Sequence, residues 1–156
     1  GRTMEHVVGG YAKVPNLAFV EVGAFSDLAA VAAALEKNPY VKHVFHPSLE
    51  SSPFHAVAAA ETGGKYYGGM LTIELEDDLD KMTCFIRELK LVHYAMTLGG
   101  YRTTMSYPPF SSHDNLTREE RYAIGITDGM IRISVGIEDT ADLVADFEQA
   151  LEKAYA

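Results

Sequence analysis

The run Gly125-Ile-Thr-Asp-Gly-Met-Ile-Arg-Ile-Ser-Val-Gly-Ile-Glu-Asp139 constrains the fold more than any other part of the chain. Residues 130–137 alternate at the period of a β-strand, with Ile131, Ile133, Val135 and Ile137 on one face and Met130, Arg132, Ser134 and Gly136 on the other. The first face demands burial. The second carries a guanidinium, whose N–H donors need carboxylate, phosphate or carbonyl oxygens within reach when the surround is apolar. Two readings of Arg132 follow: an internal ion pair with one of the 22 acidic residues, or a grip on an anionic ligand. Spacing by itself favours the ion pair, because structural pairs outnumber ligand-binding arginines.

The rest of the chain alternates between strand and helix signals. Ser26 or Asp27 is an N-cap for a helix that carries Leu28, Val31, Ala32 and Leu35 on one face and stops at Asn38-Pro39. A short strand is expected over 41–45, then a loop marked by Pro47 and Pro53, then a short helix from His55 to Glu61 ended by Gly63-Gly64. Residues 70–76 alternate as a half-buried strand with Leu71, Ile73 and Leu75 inward. Asp77 or Asp78 caps a helix with a stripe of Leu79, Met82, Phe85, Ile86 and Leu89, beside which Cys84 reads as a small core residue. Residues 101–107 read as a strand ended by Pro108-Pro109, and Thr117-Arg-Glu-Glu120 as a capping box. Asp139 or Thr140 opens a last helix with Leu143, Phe147 and Leu151 on its core side and a solvated acidic outer face. Strands separated by helices with one apolar stripe each predict a two-layer α+β domain, its largely antiparallel sheet covered by helices on one face. The other face is left to line a cleft.

Composition narrows the function classes. At 156 residues and 47% hydrophobic, the chain suffices for one compact core. A formal charge of −9, with no cluster among the 13 Lys and Arg residues, argues against a nucleic-acid surface. No apolar run approaches the ~18 residues that cross a bilayer, and no charged-then-apolar leader opens the chain. One cysteine cannot form an internal disulfide, which suits a reducing cytoplasm.

Competing motifs are weaker. Lys65 follows Gly63-Gly64, but Ala59 breaks the P-loop spacing. His43, His46 and His55 suggest a metal at first, yet His43 and His46 fall on opposite sides of a strand and no cysteine or carboxylate completes a set. Tyr66 and Tyr67 read as packing residues.

The Gly125–Asp139 run resembles the C-terminal signature of the Cys/Met-metabolism family of pyridoxal-phosphate enzymes, Gly-Ile-x-x-Gly-Leu-(Val/Ile)-Arg-Leu-Ser-Val-Gly-Ile-Glu-Asp, with Met130, Ile131 and Ile133 as conservative variants. The family includes cystathionine γ-synthase, cystathionine γ-lyase, methionine γ-lyase and O-acetylhomoserine sulfhydrylase. The segments Leu35–Pro47 and Gly68–Leu75 are similar to its Leu-x-x-His-Pro and Gly-Gly-Met segments, so that the resemblance runs from about 35 to 151. It implies the small C-terminal domain of a pyridoxal-phosphate-dependent transferase-like fold, with residues 27–156 as a substrate-binding domain and residues 1–26 an N-terminal segment of uncertain assignment. It also implies that Arg132 grips the α-carboxylate of an amino-acid substrate.

A second element is implied by Thr97-Leu-Gly-Gly-Tyr-Arg-Thr-Thr104, which looks like the family's Ser-Leu-Gly-Gly-x-Glu-Ser-Leu loop beside cofactor and substrate carboxylate. The resemblance thus adds Thr97, Leu98 and Arg102 as substrate-binding residues. Thr97 keeps a hydroxyl on a stiffer side chain, whereas Arg102 replaces a common glutamate and reverses the charge offered to the far end of a substrate. Smaller sulfur amino acids or O-acylated homoserines then become better candidates than cystathionine, and an exposed strand-edge arginine is the alternative reading. His113 is similar to a loop histidine of the family and is read as shaping that loop.

Pyridoxal phosphate needs a lysine for its Schiff base, an acid for the pyridinium nitrogen and a phosphate cup. None of Lys13, Lys37, Lys42, Lys65, Lys81, Lys90 and Lys153 sits in the family's Ser-x-(Thr/Ser)-Lys setting, and no residue is assigned as catalytic. The chain is therefore expected to be inactive and cofactor-free alone, partnering an N-terminal cofactor-binding domain in a homo-oligomeric enzyme. A free-standing α+β binding or dimerisation module without chemistry is the other reading.

Overall fold

The computed structural model describes residues 27–156. The strand signal at Leu17–Val22 and the Ser26 alternative for the first cap lie outside the described residues. Asp27 caps α1 (Leu28–Glu36) by accepting the Ala30 N–H at 3.1 Å. There follow β1 (His43–Phe45), α2 (His55–Thr62), β2 (Met70–Glu74), α3 (Leu79–Glu88), β3 (His93–Tyr94) and β4 (Thr104–Ser106). A 3-10 turn at Pro108–Phe110 leads to α4 (Arg118–Ala123), β5 (Met130–Ser134) and α5 (Thr140–Tyr155). The strands form one sheet in the order β1-β2-β5-β4-β3, in which all neighbours are antiparallel except β3 and β4.

Alternation decides the two faces of this sheet. Leu71, Ile73, Ile131, Ile133 and Met105 point to one side and pack with Leu35 of α1, Met82 and Phe85 of α3 and Phe147 and Leu151 of α5 in a single buried cluster. The expected two-layer α+β architecture is thus the one observed, with β5 as the middle strand. Its signature glycines have local causes. Gly129 lies so close to β2 that an added Cβ would run into the Leu75 carbonyl oxygen, and Gly125, at φ 81°, occupies the left-handed region just beyond α4.

Three expectations need correction, and one strand was not foreseen. The strand foreseen over 101–107 shrinks to Thr104–Ser106, because residues 97–103 form a loop tied to Ser134 at the end of β5 and to Glu138 beyond it. β3 gave no sequence signal; two residues are too few to show a period. Leu79 is 51% exposed although it opens the α3 stripe, and α2 and α4 bury no residue at all. Finally, Asp146 of α5 is buried, not solvated. Its carboxylate accepts the backbone N–H groups of Lys90 at 2.9 Å, Leu91 at 2.8 Å and Val92 at 3.3 Å, which shapes the turn from α3 into β3.

At the opposite end of the sheet, α4 is held by charge. Thr117 and Glu120 form the foreseen capping box, and Arg118 bridges Asp77 at 2.5 Å and Asp128 at 2.8 Å, while Arg121 reaches Asp128 at 2.5 Å. The Tyr122 hydroxyl donates to Asp77 at 2.5 Å, and that hydrogen bond is the main reason the Asp77 carboxyl titrates below its usual range.

Two stability outcomes follow. Asp146→Ala strands three N–H groups in a buried turn and should cost about 2–4 kcal/mol, read as a fall in denaturant midpoint at constant m-value. Gly129→Ala should destabilise by at least about 2 kcal/mol, since the obstacle is backbone and cannot rotate away, whereas Gly69→Ala, with open space at its Cβ, should stay within about 1 kcal/mol of the parent.

Candidate functional site

The face of the sheet away from the helices carries polar residues in cross-strand rows. Pairing places Phe45, Thr72, Arg132 and Ser106 side by side in one row, and Met70, Ser134, Thr104 and His93 in the next. Arg132 is therefore near the centre of the open face, half-buried between Thr72 and Ser106. The Ser106 hydroxyl is buried and has no hydrogen-bond partner.

The ion pair favoured by spacing is not made with any described residue. Arg132 has neither a hydrogen bond nor a salt bridge among the described residues, although Arg118 and Arg121 are both engaged by aspartates. Glu74, the acidic residue nearest in register on the same face, accepts the Thr127 hydroxyl at 2.7 Å instead. A half-buried guanidinium with no described partner, beside an unsatisfied buried hydroxyl, has the donors to take up a planar anion in this socket.

The loop from Thr97 to Thr103 lies against this socket because the signature strand anchors it. Ser134 Oγ accepts the Gly99 N–H at 3.3 Å, and the Thr104 hydroxyl donates to the Thr97 carbonyl at 2.9 Å. Glu138 accepts both the N–H and the hydroxyl of Thr103, at 2.6 and 2.7 Å, and Thr103 Oγ1 in turn accepts the Gly136 N–H at 2.9 Å. Gly136 must lack a side chain, since a Cβ would press on the Tyr101 carbonyl oxygen and on Arg102. Five residues of the run thus have separable tasks: Arg132 faces the open side, Ser134, Gly136 and Glu138 fasten the loop, and Asp139 caps α5 through the Ala141 N–H at 2.8 Å.

Of the residues singled out in that loop, Thr97 and Leu98 are exposed, and Thr97 takes part through its carbonyl rather than its hydroxyl. Arg102 is exposed too. Its Nη1 lies 3.3 Å from His93 Nε2, and the guanidinium sits 5.5 Å from the centre of the Tyr101 ring. Sequence reading missed Ser106 and His93. Ser106 was detectable in principle, because strand alternation from Thr104 puts it on the polar side, whereas His93 depends on a strand with no signal of its own.

Other titratable groups stand apart. Tyr107 donates its hydroxyl to the Asp128 carbonyl at 2.8 Å, and burial pushes its pKa up to about 12, so it is a neutral structural donor. His46 is buried with Nδ1 2.7 Å from the Ser48 hydroxyl, and burial lowers its pKa; His55 bonds the Pro47 carbonyl and stacks on Tyr67. No group of three His, Cys, Asp or Glu residues is placed to hold a metal among the described residues. His113 donates its backbone N–H to the Pro108 carbonyl at 3.0 Å, within the loop after the 3-10 turn. Lys81 and Lys153 are paired with Glu76 and Glu88, and the two open-face rows contain no lysine. No helix among the described residues is long and apolar enough to cross a membrane.

Comparison with known proteins gives this geometry a lineage. Residues 25–152 match the family described as Cys/Met metabolism PLP-dependent enzyme. The chain is 40% identical over 119 residues to L-methionine gamma-lyase of Fusobacterium nucleatum subsp. polymorphum, covering 76% of this chain and 30% of the relative. It is 41% identical over 117 residues to cystathionine beta-lyase of Coxiella burnetii, covering 75% and 30%. A crystal structure of cystathionine gamma synthase from Xanthomonas oryzae pv. oryzae, in complex with aminoacrylate and cysteine, superposes with a TM-score of 0.72 at 34% identity, over 80% of this chain and 32% of that one. The chain spans about 30% of the length of the relatives it matches. On these grounds, and with the signature strand placed as described, the chain belongs to the Cys/Met metabolism PLP-dependent enzyme family.

Proposed function

We propose that residues 27–156 are the substrate-binding domain of a pyridoxal-phosphate-dependent enzyme of sulfur amino-acid metabolism, in which Arg132 holds the α-carboxylate of the substrate. The observation that carries this reading is the half-buried guanidinium at the centre of the open sheet face, without a partner among the described residues. A buried cation in an acidic chain is normally neutralised. One that no described residue neutralises is suited to a ligand's anion, and the Ser106 hydroxyl beside it supplies a further donor.

The two rows of the open face offer a carboxylate the Arg132 guanidinium and the Ser106 hydroxyl, and none of their residues is a lysine. Pyridoxal phosphate supplies the electron sink for this family's chemistry, and on this reading its attachment lies outside the 30% of the relative's length that this chain covers. The contribution of this chain is to orient. Fixing the carboxylate against a rigid strand, and closing the Thr97–Thr103 loop over it, sets which substrate bond faces the reacting group. A carboxylate bound to a guanidinium and a hydroxyl also loses water, which strengthens both contacts.

In the complete enzyme Arg132→Ala should lower kcat/KM by about 30-fold or more, mostly through KM, because a charge-assisted pair lost from a desolvated site costs about 2–5 kcal/mol. Arg132→Lys should recover a part only, as an ammonium cannot make the paired contacts. Ser106→Ala should raise KM by about 3- to 10-fold, equivalent to one hydrogen bond. Steady-state kinetics decide; native KM values in Arg132→Ala would remove the clamp.

A further inference from the structure

We propose that His46 is an acid-released latch: its neutral imidazole holds residues 47–67, the segment that carries α2, against the domain, and protonation lets that segment go.

Little else holds the segment in place. Between Phe45 and Met70 only His46 and Leu49 are buried, and α2 buries none of its residues, with Phe54 70% and Val57 60% exposed. The other ties are polar or run from ring to ring. Ser51 donates its hydroxyl to Glu36 of α1, the His55 Nδ1–H donates to the Pro47 carbonyl at 2.9 Å, and the His55 ring stacks on Tyr67 at 5.9 Å. Tyr67, at the far end of the segment, meets the His46 ring in an edge arrangement at 6.5 Å, so both ends of the segment converge on this imidazole. A stretch with so few buried apolar contacts opens at low cost, independently of the core.

Hydrogen bonding fixes the tautomer of the latch. The Ser48 N–H donates to His46 Nδ1 at 3.3 Å and the Ser48 hydroxyl lies 2.7 Å from the same nitrogen, so Nδ1 is an acceptor and the neutral ring carries its proton on Nε2. Protonation would set a new N–H at Nδ1 against the Ser48 N–H and place a charge on a ring only 2% exposed. Nε2 has no hydrogen-bond partner among the described residues with which to share that charge. His55 behaves differently, because its Nδ1 is already a donor and keeps its bond to Pro47 when protonated.

Burial is what lowers the His46 pKa from the usual 6.5; Tyr67 in ring contact, Glu36 on α1, His43 on β1, and Glu50, His55, Glu61 and Lys65 on the segment add nothing to the shift. In the released form the ring is solvated and regains the ordinary value. Between the two pKa values the released form binds the extra proton, so the latched form prevails above pH 6.5 and is progressively lost as pH falls below it.

Hydrogen exchange in the complete protein, read by mass spectrometry and corrected for the intrinsic pH dependence of amide exchange, tests the latch. From about pH 7.5 to about pH 5.5 the protection of the α2 amides at 59–62 should fall at least about 3-fold while that of the α5 amides at 143–151 stays constant. Exchange at the imidazole Cε1 should report a His46 pKa below 6.5. His46→Asn, which cannot titrate and offers an oxygen acceptor near the place of Nδ1, should leave α2 protection independent of pH. Constant α2 protection in the parent, parallel loss in α2 and α5, a His46 pKa of 6.5 or above, or an undiminished pH dependence in His46→Asn would each overturn the latch. The measurements on the parent decide even where the variant does not fold.

Discussion

Pairing of β5 with β2 on one side and β4 on the other is the constraint on which the rest depends. Shifting either pairing by one residue would send Ile131 and Ile133 to the open face and drive Arg132 into the helices. The apolar residues therefore fix where the guanidinium points, although none of them touches it. The energy of a buried core, of the order of 25 cal/mol per Å² of apolar surface, is what allows a cation to be presented without a partner among the described residues.

The same strand explains why its signature extends past the arginine. Ser134, Gly136 and Glu138 follow at alternate positions or across the bend after β5, and each secures the 97–103 loop: by an accepting hydroxyl, by leaving room for Tyr101 and Arg102, and by a carboxylate on Thr103. A run of this kind combines three tasks in fifteen positions, pairing the central strand, placing Arg132 and fastening the 97–103 loop, counted from Gly125 to Asp139. The relatives that the chain matches differ in the reactions their names state, lyases and synthases alike. Binding the end of a substrate that never reacts is compatible with all of those reactions.

Much of this was legible in the sequence. Helix caps at Asp27, Asp78 and Asp139, each read as one of two adjacent candidates, the capping box at Thr117 and the inward residues of β2 and β5 followed from local rules, because side-chain hydrogen bonds to helix N–H groups and strand alternation act over a few residues. What could not be read depends on distant partners. The buried Asp146 meets backbone groups 54 to 56 positions away, and β3 exists only because β4 is there to receive it. Ser106 looks like any small polar strand residue until its row is known to contain Arg132. Resemblance singled out Thr97, Leu98 and Arg102, but the manner in which Arg102 meets His93 is visible only in three dimensions.

The central claim is that Arg132 binds a carboxylate, and one pair of ligands isolates that group. L-methionine and L-methioninamide differ at the carboxylate alone, and their affinities for the complete protein can be compared in the parent and in Arg132→Ala. The account predicts that the amide binds at least about 30-fold more weakly than the acid in the parent, and that the difference shrinks to a few-fold in the variant. Equal affinities in the parent, or an acid-over-amide preference that survives loss of the arginine, would contradict it.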